Sequence, residues 1–128
     1  MILIIKVKKK NWEDFDYVTL ESYINNDIIV FVDVTAKWCI TCAINKKLVI
    51  ENKEIVELFN KYNVKKIRAD WTLKNDNILS YLKKYNKFGI PFNILYSKSF
   101  PEGFIFNELL TKNQIKKALN QTINQKRQ

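Results

Sequence analysis

The sequence predicts an α/β fold in which a central mixed β-sheet is flanked by helices on both faces. Strand-like and helix-like segments alternate along the chain, and the last two strand-like segments follow one another as a hairpin. The segment Ile28–Thr35 is apolar or β-branched at nearly every position, which is typical of a central strand covered on both faces. Alternating strands and helices predict a layered sheet, and the hairpin adds an antiparallel pair to it.

The first part of the chain contains one weak element and two clear ones. Ile2–Val7 alternates weakly and is expected to be an edge strand or the frayed end of a preceding segment. Asp16–Asn26 carries apolar residues at near-helical spacing and predicts a short helix. Ile28–Thr35 then predicts the central strand, which completes the first β-α-β unit.

A long helical pattern, Cys39–Asn60, follows the central strand. Ile44 and Leu48 are the first apolar positions of this pattern after the two cysteines. A break is expected near residues 51–53, because Asn52 can cap a new helix there. The pattern therefore predicts two consecutive helices.

The second half of the chain repeats the alternation and closes with the hairpin. Val64–Trp71 predicts a strand, and Asp76–Lys87 predicts an amphipathic helix. Phe92–Tyr96 and Phe104–Phe106 predict two strands, because a connection containing one Pro and one Gly separates them. Thr111 is the expected N-cap of a final helix.

The length of 128 residues is that of one domain, residues 1–128. Residues 1–15 are expected to be an N-terminal segment that is flexible or added to the natural protein. No signal peptide is expected, because the apolar run Met1–Ile5 is too short and the lysines follow it. No stretch approaches the roughly 18 apolar residues of a membrane span.

The net charge of +9 does not by itself indicate a nucleic-acid-binding protein. The lysines occur in ones and twos along the whole chain, whereas a nucleic-acid footprint concentrates them on one face. This spread favours a solvated surface, with weak attraction to anionic lipid headgroups or an acidic partner left open. We expect a monomer without a nucleic-acid partner.

The only two cysteines, Cys39 and Cys42, stand three residues apart at the predicted start of a helix. This arrangement favours thiol–disulfide exchange, with Cys39 as the exposed nucleophile and Cys42 as the less exposed resolving thiol. An inert disulfide is the alternative, but so short a loop constrains the unfolded chain little. With no His and no third Cys, structural zinc would require two chains, so we expect neither metal nor organic cofactor.

Asp33 is a charged residue in an otherwise apolar strand, six positions before Cys39. Burial would raise its pKa and let it accept a proton near neutral pH, the alternative being a carboxylate that faces solvent. Trp38 directly precedes Cys39 and is expected to shield the site and to pack beside Asp33. An ordinary core aromatic is the alternative for Trp38.

Three motifs occur in order along the chain: Val32–Cys42, Ala69–Thr72 and Phe88–Pro91. Together they resemble the C-terminal thioredoxin-like domain of the DsbD family of thiol:disulfide interchange proteins. The resemblance covers roughly residues 16–120 and implies a thioredoxin fold.

The resemblance also implies roles for the site residues. The acid at the position of Asp33 lies near the resolving Cys42 and helps to deprotonate it. A cis proline lies opposite the Cys-x-x-Cys, so the Ile90–Pro91 bond is expected to be cis, with Ile90 lining the substrate groove. Without the resemblance the expectation would be a trans bond.

A DsbD-type domain takes electrons from a membrane-embedded cysteine pair and passes them to another periplasmic thiol domain. The resemblance therefore implies a reductant relay whose partners are protein thiols and disulfides and a membrane-embedded donor. It also implies a periplasmic location with a tether to the inner membrane in the full-length protein. Other readings stay open: a free-standing thioredoxin-like reductase, an oxidase or isomerase, and a non-catalytic adaptor.

One departure from the DsbD pattern concerns the residues after Cys42. Members of that family often carry an acidic residue there, which would raise the pKa of the nucleophile. This chain has none before Glu51, and Lys46 is positive. We therefore expect the Cys39 thiolate to be more stable than is usual for such domains.

Overall fold

A computed structural model describes residues 12–127, and within this range five strands and five helices alternate. The strands are β1 (Trp12–Asp14), β2 (Val30–Thr35), β3 (Lys65–Asp70), β4 (Phe92–Tyr96) and β5 (Phe104–Ile105). The helices are α1 (Tyr17–Asn25), α2 (Ile40–Asn45), α3 (Lys53–Lys61), α4 (Asp76–Lys84) and α5 (Lys112–Arg127). A π-helical turn, Lys46–Ile50, continues α2.

The strands form one mixed sheet in the order β1-β3-β2-β4-β5. Strands β1 and β2 pair with β3 in parallel, whereas β4 pairs with β2 and with β5 in antiparallel fashion. All six residues of β2 are buried. The predicted α/β class, the mixed sheet and the central position of this strand are confirmed.

The N-terminal strand β1 was not predicted. Three residues are too few to show an alternating pattern, and β1 is positioned only by its pairing with β3. The predicted strand Ile2–Val7 lies outside the described residues.

Two apolar layers cover the two faces of the sheet, because successive side chains of β2 point in opposite directions. Phe31 belongs to a cluster with residues of the π turn, α3 and α5, including Val49 and Ile55. Val32 belongs to a second cluster with residues of α1 and α4, including Leu20. The expectation of helices on both faces is therefore confirmed.

Two helix starts follow the predicted capping residues. The side chain of Asn52 accepts a hydrogen bond from the Glu54 N–H at 2.9 Å, and α3 begins at the next residue. The hydroxyl of Thr111 accepts one from the Gln114 N–H at 3.1 Å at the start of α5. These side chains satisfy backbone donors that the first helical turn leaves free.

The side chains that α2 and the π turn bury differ from those that the apolar spacing suggested. Ile44 and Leu48 are 42% and 61% exposed, while Cys42, Asn45 and Val49 face inward. Two hydrogen bonds satisfy the buried side chain of Asn45, which donates to the Glu108 carbonyl at 2.8 Å and accepts from the Leu110 N–H at 2.9 Å. A polar residue with both partners satisfied can replace an apolar one on a buried face.

Candidate active site

The two cysteines form a disulfide at the N-terminus of α2. Cys39 is the N-cap with extended backbone (φ −98°, ψ 107°), and its sulfur accepts a hydrogen bond from the Cys42 N–H at 3.2 Å. In the reduced protein this N–H and the helix dipole are expected to stabilise a Cys39 thiolate. The predicted placement of the dithiol at a helix start is confirmed.

The prediction that Cys39 is exposed is wrong. Cys39 is 8% exposed and Cys42 is 3% exposed, so the order is as expected but both residues are buried. The reason is that the pair packs with Ala36 and Ile90. Only a small part of Cys39 is therefore open to a partner.

The loop that follows β3 holds the segment before Cys39 in place. Thr72 accepts two hydrogen bonds from this segment, one to its hydroxyl from the Lys37 N–H at 2.9 Å and one to its carbonyl from the Trp38 indole N–H at 3.1 Å. Asp70 in turn accepts from the Thr72 N–H at 3.0 Å, and the hydrogen bonds from Thr72 lower the pKa of this carboxyl. The motif Ala69–Thr72 thus fixes the approach to Cys39.

Trp38 lies on the surface and not in the interior beside Asp33. It is 60% exposed, and its indole is anchored to the Thr72 carbonyl. The hydrogen bond to the loop that follows β3 explains this position, and no local sequence pattern predicts a contact of this kind. Trp38 flanks the nucleophile at the surface.

A groove near the disulfide is lined by Trp38 and Ile90, two of the three residues predicted to bind the substrate. The Ile90–Pro91 peptide bond is cis, as predicted. A cavity of about 510 Å³ is lined by Trp38, Trp71, Phe88 and Ile90, among others. Since Ile90 also packs against the cysteine pair, this groove leads directly to the disulfide.

Asp33 is buried on the sheet face that carries Phe31, which the π turn covers with Val49 and Ile50. Burial raises its pKa to about 6, although the positive charges of Arg68 and Lys46 act in the opposite direction. The prediction of a buried acid that titrates near neutral pH is confirmed. Its proton transfer with Cys42 stays a prediction.

Arg68 is a part of the site that the sequence reasoning missed. It lies opposite Asp33 in the parallel register of β2 and β3, with its Nε atom 3.8 Å from the Asp33 Oδ2 atom. Its guanidinium lies 4.1 Å from the centre of the Trp12 ring. Only the strand register brings these residues together, so no local sequence signal could have found them.

Within residues 12–127 no group of three or more His, Cys, Asp or Glu side chains is placed to bind a metal ion. In the same range no helix combines the length and apolarity needed to cross a bilayer.

A family model described as thioredoxin-like matches residues 18–98. The chain belongs to the thioredoxin-like family. The matched segment contains both cysteines, Asp33 and the cis proline Pro91 of this thioredoxin-like domain. A search of curated proteins by sequence found no match.

Solved structures show the same fold as this thioredoxin-like domain. The oxidised C-terminal domain of DsbD from Neisseria meningitidis has a TM-score of 0.66 and 17% identity, covering 86% of this chain and 98% of that chain. Chloroplastic thioredoxin z has a TM-score of 0.65 and 22% identity, covering 88% and 94%. A thioredoxin from Thermus thermophilus has a TM-score of 0.63 and 13% identity, covering 86% and 84%. The predicted thioredoxin fold and the resemblance to the DsbD domain are confirmed.

A thioredoxin-like domain with a Cys-x-x-Cys disulfide and a buried acid in the preceding strand has the groups that thiol–disulfide oxidoreductase chemistry uses. The helix N-terminus stabilises a thiolate, the second thiol can displace a bound partner, and the acid can hold a proton.

The pKa of the Cys39 thiol in the reduced protein is expected to lie below that of free cysteine, about 8.5. The N–H of Cys42 faces its sulfur, and no acidic residue follows in α2 or in the π turn to oppose the thiolate. Thiolate absorbance measured against pH checks this, with Cys42→Ser isolating the Cys39 signal. A Cys39 pKa above about 8.5 would contradict the expectation.

Proposed function

We propose that this thioredoxin-like domain is a thiol:disulfide oxidoreductase that reduces disulfides of partner proteins. The observation that carries the proposal is the Cys39–Cys42 disulfide at the N-terminus of α2, together with the buried Asp33 of β2, the strand that precedes the dithiol. A structural disulfide gives no reason for a buried acid of raised pKa in the preceding strand, whereas a redox-active dithiol can use such an acid as a proton acceptor.

The reaction transfers two electrons from the dithiol to the partner. The Cys39 thiolate attacks one sulfur of the partner disulfide, forming a mixed disulfide and releasing one partner thiolate. Asp33 takes the proton of the Cys42 thiol, and the Cys42 thiolate then attacks the Cys39 sulfur. The mixed disulfide breaks, the second partner thiolate leaves, and the Cys39–Cys42 disulfide remains.

The surface around the dithiol supports protein substrates. Trp38, Ile40 and Phe88 are exposed large apolar side chains that lie next to the dithiol in sequence or border the groove beside it. Exposed apolar surface of this kind marks contact sites for partner chains. In our proposal an extended partner segment lies along the groove at Ile90 and Pro91 and brings its disulfide to Cys39.

We propose further that a membrane-embedded cysteine pair re-reduces the domain and that it works in the periplasm, tethered to the inner membrane in the full-length protein. The motifs Val32–Cys42, Ala69–Thr72 and Phe88–Pro91 support this, as does the likeness to the DsbD C-terminal domain. Reconstitution with the membrane domain of a DsbD protein would test the donor.

The reduction potential of the Cys39–Cys42 pair separates a reductant from an oxidant. Equilibration with defined thiol buffers, followed by thiol trapping, is expected to give a value near or below about −270 mV, that of thioredoxin. A value near about −120 mV, that of strong oxidants, would reverse the electron flow and favour an oxidase or isomerase.

A further inference from the structure

Asn93 is a buried amide that the mechanism above does not use. It is 1% exposed and lies on β4, directly opposite Asp33 of β2 in the antiparallel register. Among residues 12–127, neither the Nδ2 nor the Oδ1 atom of Asn93 has a hydrogen-bond partner. An enclosed amide without a partner is destabilising, so a second reason for its presence is needed.

The register places the amide beside the acid. Directly opposed residues of an antiparallel pair project from the same face, with Cβ atoms about 4.5–5.5 Å apart. Since the two side chains are neighbours on one face, a change of the Asn93 rotamer can bring its amide to the Asp33 carboxyl.

The other polar groups that face Asp33 differ from Asn93 in their chemistry. Arg68 faces it from β3 and Lys46 from the π turn, and both lower the pKa of the carboxyl. Arg and Lys side chains only donate hydrogen bonds, so neither can accept one from the O–H of the protonated acid. Cys42 of α2 is the group that gives its proton to Asp33 in the proposed mechanism. An amide both donates and accepts, so Asn93 can partner either protonation state of Asp33.

We propose that Asn93 is a positioning residue for Asp33, donating through Nδ2 to the ionised carboxylate and accepting through Oδ1 from the protonated acid. The proton moves between the Cys42 sulfur and the Asp33 carboxyl, and Asn93 only reorients its amide without gaining or losing a proton. This inference deepens the proposed function and rests on it for the role of Asp33.

The test is a carbon-13 NMR titration of the Asp33 carboxyl in the oxidised protein, in which neither cysteine titrates. Asn93→Leu removes both hydrogen bonds, and because the one to the ionised carboxylate is the stronger, the variant is expected to raise the pKa of Asp33 by about one unit. Asn93→Thr keeps a donor and an acceptor and is expected to show less than half of that shift. An unchanged titration in folded Asn93→Leu, or equal shifts in both variants, would overturn the proposal.

Two further measurements complete the test. If Asn93→Leu does not fold, the smaller Asn93→Val removes the same donor and is held to the same expected shift. In reduced protein that carries Asp33→Asn, adding Asn93→Leu is expected to leave the pH profile of mixed-disulfide resolution unchanged, and a shifted profile would contradict the proposal. The titration needs neither partner nor turnover, so its result is separable from failure of the reductase assay.

Discussion

Replacement of Cys42 by Ser is expected to trap the domain on its partner and to reduce turnover by at least about a thousandfold. Cys39 still attacks the partner disulfide, but without the Cys42 sulfur the mixed disulfide has no internal attacking group. Non-reducing electrophoresis of the variant after mixing with a disulfide-containing protein such as insulin, with turnover measured in parallel, detects this species.

Cys39→Ser is the matched control, because it removes the attacking sulfur and leaves the resolving one. It is expected to lose turnover to the same degree and to form no mixed disulfide. A partner that Cys39→Ser binds with undiminished affinity, together with wild-type protein that shows no turnover, would instead favour the non-catalytic adaptor.

Replacement of Asp33 by Asn is expected to stabilise the oxidised protein at pH 8 by about 3 kcal/mol. The carboxyl has a pKa of about 6 in the folded protein against an ordinary value of 3.8, so the folded state binds its proton more tightly than the unfolded state. The stabilisation that the folded state gains from binding this proton more tightly is complete below pH ~4 and is lost as the pH rises through ~6. A shift of about two units, at about 1.4 kcal/mol each, gives the figure.

Urea unfolding of the oxidised wild type and variant at pH 4 and pH 8 measures this effect. Asp70→Asn is a control of opposite sign, because hydrogen bonds from Thr72 lower the pKa of Asp70 and its ionised form stabilises the folded state. Equal pH dependence of stability in wild type and Asp33→Asn would contradict the raised pKa of Asp33.

In the reduced protein, Asp33→Asn is expected to slow the resolution of the mixed disulfide by Cys42 about a hundredfold at pH 7, the ordinary contribution of a general base.

The sequence predicted the order of elements well, because each prediction rested on local chemistry. The Cys-x-x-Cys at a helix start, the cap at Asn52 and the near-continuous apolar strand Ile28–Thr35 are signals that a few neighbouring residues carry. The raised pKa of Asp33 was also predicted from local sequence, since a lone carboxyl in an apolar strand is buried when that strand is central.

Only the tertiary structure decided which residues meet. The register of β2 with β3 brings Arg68 to Asp33, the register with β4 brings Asn93 to its other side, and the loop after β3 holds Trp38 at the surface. The tertiary structure also placed Ile44 and Leu48 at the surface. Asn45 takes the inward position instead, because two hydrogen bonds satisfy its side chain there. Local sequence therefore determined the dithiol and its acid, while the partners that surround the acid depend on strand pairings, because those contacts join residues far apart in the chain.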